Sequence, residues 1–222
     1  MATMTLELDR ELATLRAALR AMAESAQTRL ATALEAWMTW DIDLAQSIRT
    51  ADDEIDQLEV NIENECMAIL AKHSPVASDL RYVVAALRIN TSFERIADLA
   101  RSVAKRVIRL DRDDQHPTPP QALETMGEAV KEMLSNTMRA LENRDVELAR
   151  FVRKSDAFVD DRNREVFEWV AESTHKEPAR AEAFISVLMI ARSLERIGDI
   201  CANIAEDIMF AVGGSIVRHT PA

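Results

Sequence analysis

Residues 93–98 read Phe-Glu-Arg-Ile-Ala-Asp and residues 194–199 read Leu-Glu-Arg-Ile-Gly-Asp, each inside a long apolar-periodic segment. Glu94 and Asp98, like Glu195 and Asp199, stand four positions apart. On a helix of about 3.6 residues per turn this spacing puts both carboxylates on one face, one above the other. The chain therefore carries the same acid-bearing helix twice, and two acids held so close ask for a positive partner.

Working outward, the repeat extends through both halves. Leu12, Leu15, Leu19, Met22, Ala26, Leu30, Ala33 and Trp37 recur at steps of three and four, the stripe of a helix packed on others, running to about Thr39. A second stripe uses Ile48, Ile55, Leu58, Ile62, Cys66 and Ile69 and stops near Lys72, ahead of Pro75. Ser78 or Asp79 is the expected cap of a third helix carrying Leu80, Val83, Val84, Leu87, Phe93, Ile96, Leu99, Val103 and Val107. Pro117, Pro119 and Pro120 then forbid a helix interior.

Beyond them a shift of 104 maps Leu30 on Leu134, Asp41 on Asp145, Leu44 on Leu148, Ile48 on Val152, Arg49 on Arg153, Asp52 on Asp156 and Asp56 on Asp160. The third helices align at a shift of 101, which places a three-residue deletion around residues 175–180, where a loop absorbs it. With only 4 glycines and 6 prolines in 222 residues and no strand pattern, the expected fold is all-α: two tandem three-helix bundles, six long helices in all, related by a pseudo-twofold axis. The divisions are a first bundle over 1–112, a proline-rich linker over 113–120, a second bundle over 121–213 and a disordered tail over 214–222.

Composition limits the function. A net charge of −11 repels nucleic acid and anionic lipid surfaces. The N-terminus has acids where a secretory signal has an apolar core, and no apolar run reaches the roughly 20 residues that span a bilayer, so a soluble, cytoplasmic protein with no membrane insertion is expected. Cys66 and Cys201 fit no metal or redox spacing and are read as buried thiols. His73, His116, His175 and His219 fall in connections or tails and are read as loop or capping residues. Trp37, Trp40 and Trp169 are read as packing residues, with an exposed Trp40 suited to a partner surface.

The acids carry the chemistry. Asp52, Asp56, Glu59 and Glu63 form an acidic line beside the second stripe; the second copy keeps Asp156 and Asp160 but has Asn163 and Phe167 later. If second and third helices are neighbours, Asp52 and Asp56 approach Glu94 and Asp98, and Asp156 and Asp160 approach Glu195 and Asp199. Like charges so close oppose folding unless a cation lies between them, and an all-oxygen donor set suits Mg²⁺ or Mn²⁺, while iron and zinc also accept carboxylates. Asn203 extends the second face as a neutral oxygen donor where the first copy has Ser102. The competing reading is a solvated face whose acids pair with Arg95, Arg101, Arg192 or Arg196.

These residues resemble the PhoU family of phosphate-signalling proteins: PVASDLR at Pro75 to Arg81, ERIAD at Glu94 to Asp98, and ERIGDICANIAE at Glu195 to Glu206. The likeness covers both halves. Differences from the family pattern are Ala97 for the expected Gly, Ser102 for the Asn, and Arg180 and Glu182 opposite Asp79 and Arg81. The resemblance implies metal ions, divalent or trivalent, or metal clusters on the repeated acid pairs. It also implies a negative regulator of the phosphate-starvation response whose partners are the phosphate transporter ATPase and a sensor histidine kinase; a homodimer is the expected state. Two other readings stand beside it. One is a metal-free helical adaptor that binds partner helices. The other is a carboxylate-bridged di-iron enzyme, which also uses carboxylates on facing helices.

Overall fold

The computed structural model describes residues 2–50 and 52–214. Among the described residues the α-helices follow in order: α1 (Ala2–Thr39), α2 (Ile42–Thr50), α3 (Asp52–His73), α4 (Ala77–Arg112), α5 (Gln121–Asn143), α6 (Val146–Lys176) and α7 (Ala181–Gly213). A short 3₁₀ turn, Pro178–Arg180, precedes α7, and among the described residues there is no strand. The fold is all-α as expected; α2 and α3 lie on either side of residue 51, which is outside the described residues, and together they cover the span read as the second helix of the first copy, the counterpart of α6.

The shared turn between first and second helices explains why Asp41 and Asp145 match. Trp40 and Arg144 both adopt left-handed backbone, with φ of 56° and 53°. Asp41 then accepts a hydrogen bond from the Leu44 amide at 3.0 Å, and Asp145 accepts from the Glu147 and Leu148 amides, each at 3.0 Å. These carboxylates satisfy amides that the helix start leaves without partners. The expected capping by Ser78 or Asp79 does not occur: α4 begins two residues earlier, behind Val76, and no side chain caps it. Asp79 instead lies in the first turn, where its charge complements the helix dipole.

All eight residues of the first stripe are buried at 5 % exposure or less, and Ile48, Ile55, Ile62, Cys66 and Ile69 join them. Leu80 departs from its expected place, standing 41 % exposed in the opening turn of α4. Within each half the helices pack as a three-layered bundle, α1 with α2, α3 and α4, and α5 with α6 and α7. The halves meet where α4 packs on α7 and α1 on α5, so the two acid-bearing helices form the centre of the molecule. Ion pairs cross this junction: Arg20 to Glu142 at 2.7 Å, Arg88 to the buried Asp207 at 3.1 Å and Arg109 to Glu182 at 3.2 Å. Of these three pairs Arg88–Asp207 has the buried partner, Asp207 being 4% exposed.

Cys66 and Cys201 are buried free thiols, pushed up to about 12 by burial. His73 belongs to the last turn of α3 rather than to a connection; its ring is turned inward and shares a 2.9 Å hydrogen bond with Glu11. Trp40 is half-buried and covered by the stacked ring of His116, 4.2 Å between centroids, so it does not offer the open surface considered above. Trp37 packs against Trp40, and Trp169 meets Phe184 edge-on. Among the described residues no helix is long and apolar enough to cross a membrane.

Candidate metal centres

The first acidic site lies between α3 and α4. Asp56 and Glu59 of α3 come within electrostatic reach of Glu94 and Asp98 of α4. Burial, the charge of Asp98, the charge of Glu59, a hydrogen bond with Asp98 and the charge of Asp56 together push the Glu94 carboxyl up to about 7. Burial also raises Glu59, with Glu63 and Asp56 adding to it and a hydrogen bond from Thr91 opposing it. The side chain of Asp52, named above as a ligand, lies outside the described residues. Glu59, on the acidic line but outside the four acids expected here, also acts on the charge of Glu94.

The second site lies between α6 and α7. Burial pushes the Asp156 carboxyl up to about 7, aided by Asp199, Asp160 and Glu195. Burial and then Asp199 raise Glu195, with Asp160 adding to the shift and Arg192 and Arg196 opposing it. Burial and Asp160 raise Asp199. The four acids expected here lie within electrostatic reach of one another across α6 and α7. Asn203 stands exposed one turn beyond Asp199, while its counterpart Ser102 donates its hydroxyl to the Asp98 carbonyl at 3.0 Å and is thereby tied to its own helix.

Gly198 opens room for one of these acids. A methyl group built on it would lie 3.0 Å from Oδ1 of Asp156 and 3.4 Å from Val159, so the hydrogen of glycine is what lets α6 seat its carboxylate against α7. What approaches Gly198 is thus a side chain of α6. Ala97, its counterpart, is buried on α4.

Part of the acidic surface has the arginine partners of a solvated face. Arg101 binds Asp98, and Arg192 lies 3.6 Å from Glu195. Asp156 differs. Its Oδ1 is buried with no hydrogen-bond partner, and only other carboxylates act on its charge. An ionised oxygen in that position is strongly disfavoured without a cation or a proton. Among the described residues no three His, Cys, Asp or Glu side chains already stand close enough together to hold a metal ion, so the acids converge without forming a finished cage. The donor set fits a hard cation in chemistry: several carboxylate oxygens, one of them buried and orphaned, and no thiolate.

Comparison with known proteins follows the same repeat. The model of the PhoU domain matches residues 19–107 and again residues 123–208. The phosphate-specific transport system accessory protein PhoU homolog of Pseudomonas aeruginosa is 34% identical over 94% of this chain and 86% of its own length. The corresponding protein of Zymomonas mobilis is 38% identical over 93% of this chain and 86% of its own. Among solved structures, PhoU from Pseudomonas aeruginosa matches with a TM-score of 0.90 and 33% identity, covering 93% of this chain and 99% of that one. The phosphate transport system regulatory protein PhoU from Streptococcus pneumoniae matches with a TM-score of 0.87 and 25% identity, covering 95% and 99%.

Proposed function

We propose, since this chain belongs to the PhoU family, that it is a cytoplasmic, non-enzymatic negative regulator of the phosphate-starvation response and of phosphate uptake. In this reading it works as a metal-binding adaptor between the phosphate transporter ATPase and a sensor histidine kinase, and it acts as a homodimer. Two repeats, 1–112 and 121–213, each supply one cation site.

The observation that carries the metal reading is the orphaned Oδ1 of Asp156 beneath Asp160, Glu195 and Asp199. These four acids, with Asn203, would hold the cation of the second repeat; Asp52, Asp56, Glu94 and Asp98, joined by Glu59, would hold that of the first. Mg²⁺, Mn²⁺, iron and zinc all accept such oxygens. A bound cation would supply positive charge that cancels the repulsion between α6 and α7, or between α3 and α4. The chain's own contribution is to hold the helix pairs in register, so that neutralised acidic faces become rigid surfaces for a partner.

The metal-free adaptor remains as a second reading because of the Arg101–Asp98 and Arg192–Glu195 pairs, which neutralise part of each face without metal. The regulatory role is tested in a strain lacking the gene: a phosphate-repressed reporter should switch on in rich phosphate and be silenced again by this chain. A reporter that stays silent in the deletion strain would overturn the role. Capture of the purified ATPase and kinase on immobilised protein tests the adaptor, and binding of neither would remove it.

A further inference from the structure

Away from the acidic faces, the junction between the bundles forms an open cleft of about 360 Å³. It is lined by Arg16 and Arg20 of α1, Tyr82 of α4, Arg139 of α5 and Arg144 in the turn after α5. Four arginines against two glutamates, Glu24 and Glu142, leave a surplus of positive charge in a chain whose net charge is −11. Arg20 is consumed by both glutamates, at 2.9 and 2.7 Å. The other three are not. Arg139 bonds the neutral Asn136 side chain at 3.2 Å, and Arg16 and Arg144 lie over the ring of Tyr82, 5.2 and 5.7 Å from its centroid.

Guanidinium planes gathered on an aromatic ring make a flat, positively charged platform. Leu19, Ala23, Met138 and Leu141 give the cleft an apolar wall, and its volume lies within the range of small-molecule sites. An inorganic anion would leave that wall bare. The arginines call for a phosphoryl group, which they bind in a fork, and the wall and platform call for a flat organic body.

We propose that this inter-bundle cleft binds a nucleoside phosphate, its base against the guanidinium platform and the apolar wall and its phosphoryl group on the arginines that line it, Arg16, Arg139 and Arg144. Because α1 and α4 come from one bundle and α5 from the other, the ligand ties the two halves together.

The test is calorimetric titration of the intact chain with AMP and ATP in magnesium-free, low-salt buffer, which keeps the acidic sites out of the measurement. AMP should bind saturably, one per chain, and adenosine or inorganic phosphate alone at least tenfold more weakly. Arg16→Ala should weaken AMP binding at least tenfold. Arg144→Gly should do the same while leaving thermal stability unchanged or raised, because glycine accepts the left-handed backbone at that position (φ 53°) more readily than arginine. Arg16→Lys, which keeps the charge but loses the plane, serves if Arg16→Ala does not fold and should bind with intermediate strength. No saturable binding of either nucleotide at millimolar concentration, binding untouched by these variants, or inorganic phosphate binding as well as AMP would each overturn the proposal.

Discussion

The two carboxylate sites share a pattern and differ in how they contain charge. The first gathers more acids, with Asp56, Glu63 and Asp98 acting on Glu59 or Glu94 and Glu59 on Glu94, and leaves them open: the Asp98 side chain is 47% exposed and bound by Arg101. The second has fewer acids but buries one oxygen of Asp156 with nothing to bond it, in space that Gly198 provides. Where the first repeat has Glu59 and Glu63, the second has Asn163, itself buried with an unpaired Oδ1, and an exposed Phe167. The same spacing thus gives a broad, partly solvated well in one half and a narrow, desolvated one in the other. Water and arginine dilute repulsion in the first; only a proton or a cation can do so at Asp156.

The comparison breaks most visibly at Gly198. Gly198→Val would drive branched carbon into Asp156 and Val159, and overpacking of this kind costs about 2 kcal/mol. Ala97→Gly in the other repeat meets no such obstacle and should lose about 1 kcal/mol, the helix-interior penalty of glycine. Urea unfolding of the two variants reads the contrast; equal losses would show that the second site is no tighter than the first.

Protonation sharpens it next. Asp156 and Glu94 titrate near 7 in the native protein against 3.8 and 4.5 for the free groups, so between those values the folded chain holds more protons than the unfolded one. Their contribution to stability is complete below the lower values and is lost as pH rises through about 7, the reverse of an ordinary salt-bridged acid. With metal removed by chelation, Asp156→Asn should therefore stabilise the protein by roughly 1 kcal/mol at pH about 8, after allowance for solvent screening, and have no effect near pH 4. Glu94→Gln should show the same sign with a smaller amplitude, because its site is more open. Denaturant midpoints across pH check both; a variant effect that does not change with pH would mean the crowding is relieved in solution.

The smallest effects concern the arginines. Arg101→Ala and Arg192→Ala remove exposed or half-exposed pairs and should change stability by about 0.5 kcal/mol or less. If arginine and cation compete for the same oxygens, each substitution raises cation affinity a few-fold in its own repeat. Calorimetric titration with Mn²⁺ measures this, and weaker binding would mean the guanidinium assists rather than competes.

Much of this was legible in sequence because helical periodicity reports which face each residue occupies. The stripe from Leu12 to Trp37 is buried throughout, and the repeat offset correctly paired Asp156 and Asp160 with Glu195 and Asp199. What periodicity does not report is the rotation of one helix against its neighbour. That rotation brings Glu59 within electrostatic reach of Glu94 and seats Asp156 over Gly198. The capping role shared by Asp41 and Asp145 was visible only as a match, since nothing in the spacing separates a cap from a ligand. The arginine cleft was invisible for a different reason: Arg16, Tyr82, Arg139 and Arg144 are far apart in the chain and meet only when the bundles dock.

The central claim is that the paired acids of each repeat share a cation, and native mass spectrometry of the protein loaded with Mn²⁺ tests it most directly. Replacing Glu195 and Asp199 together by Ala should remove the metal of the second repeat and leave that of the first. An unchanged metal count in that variant would contradict the account and leave α7 with a solvated acidic face.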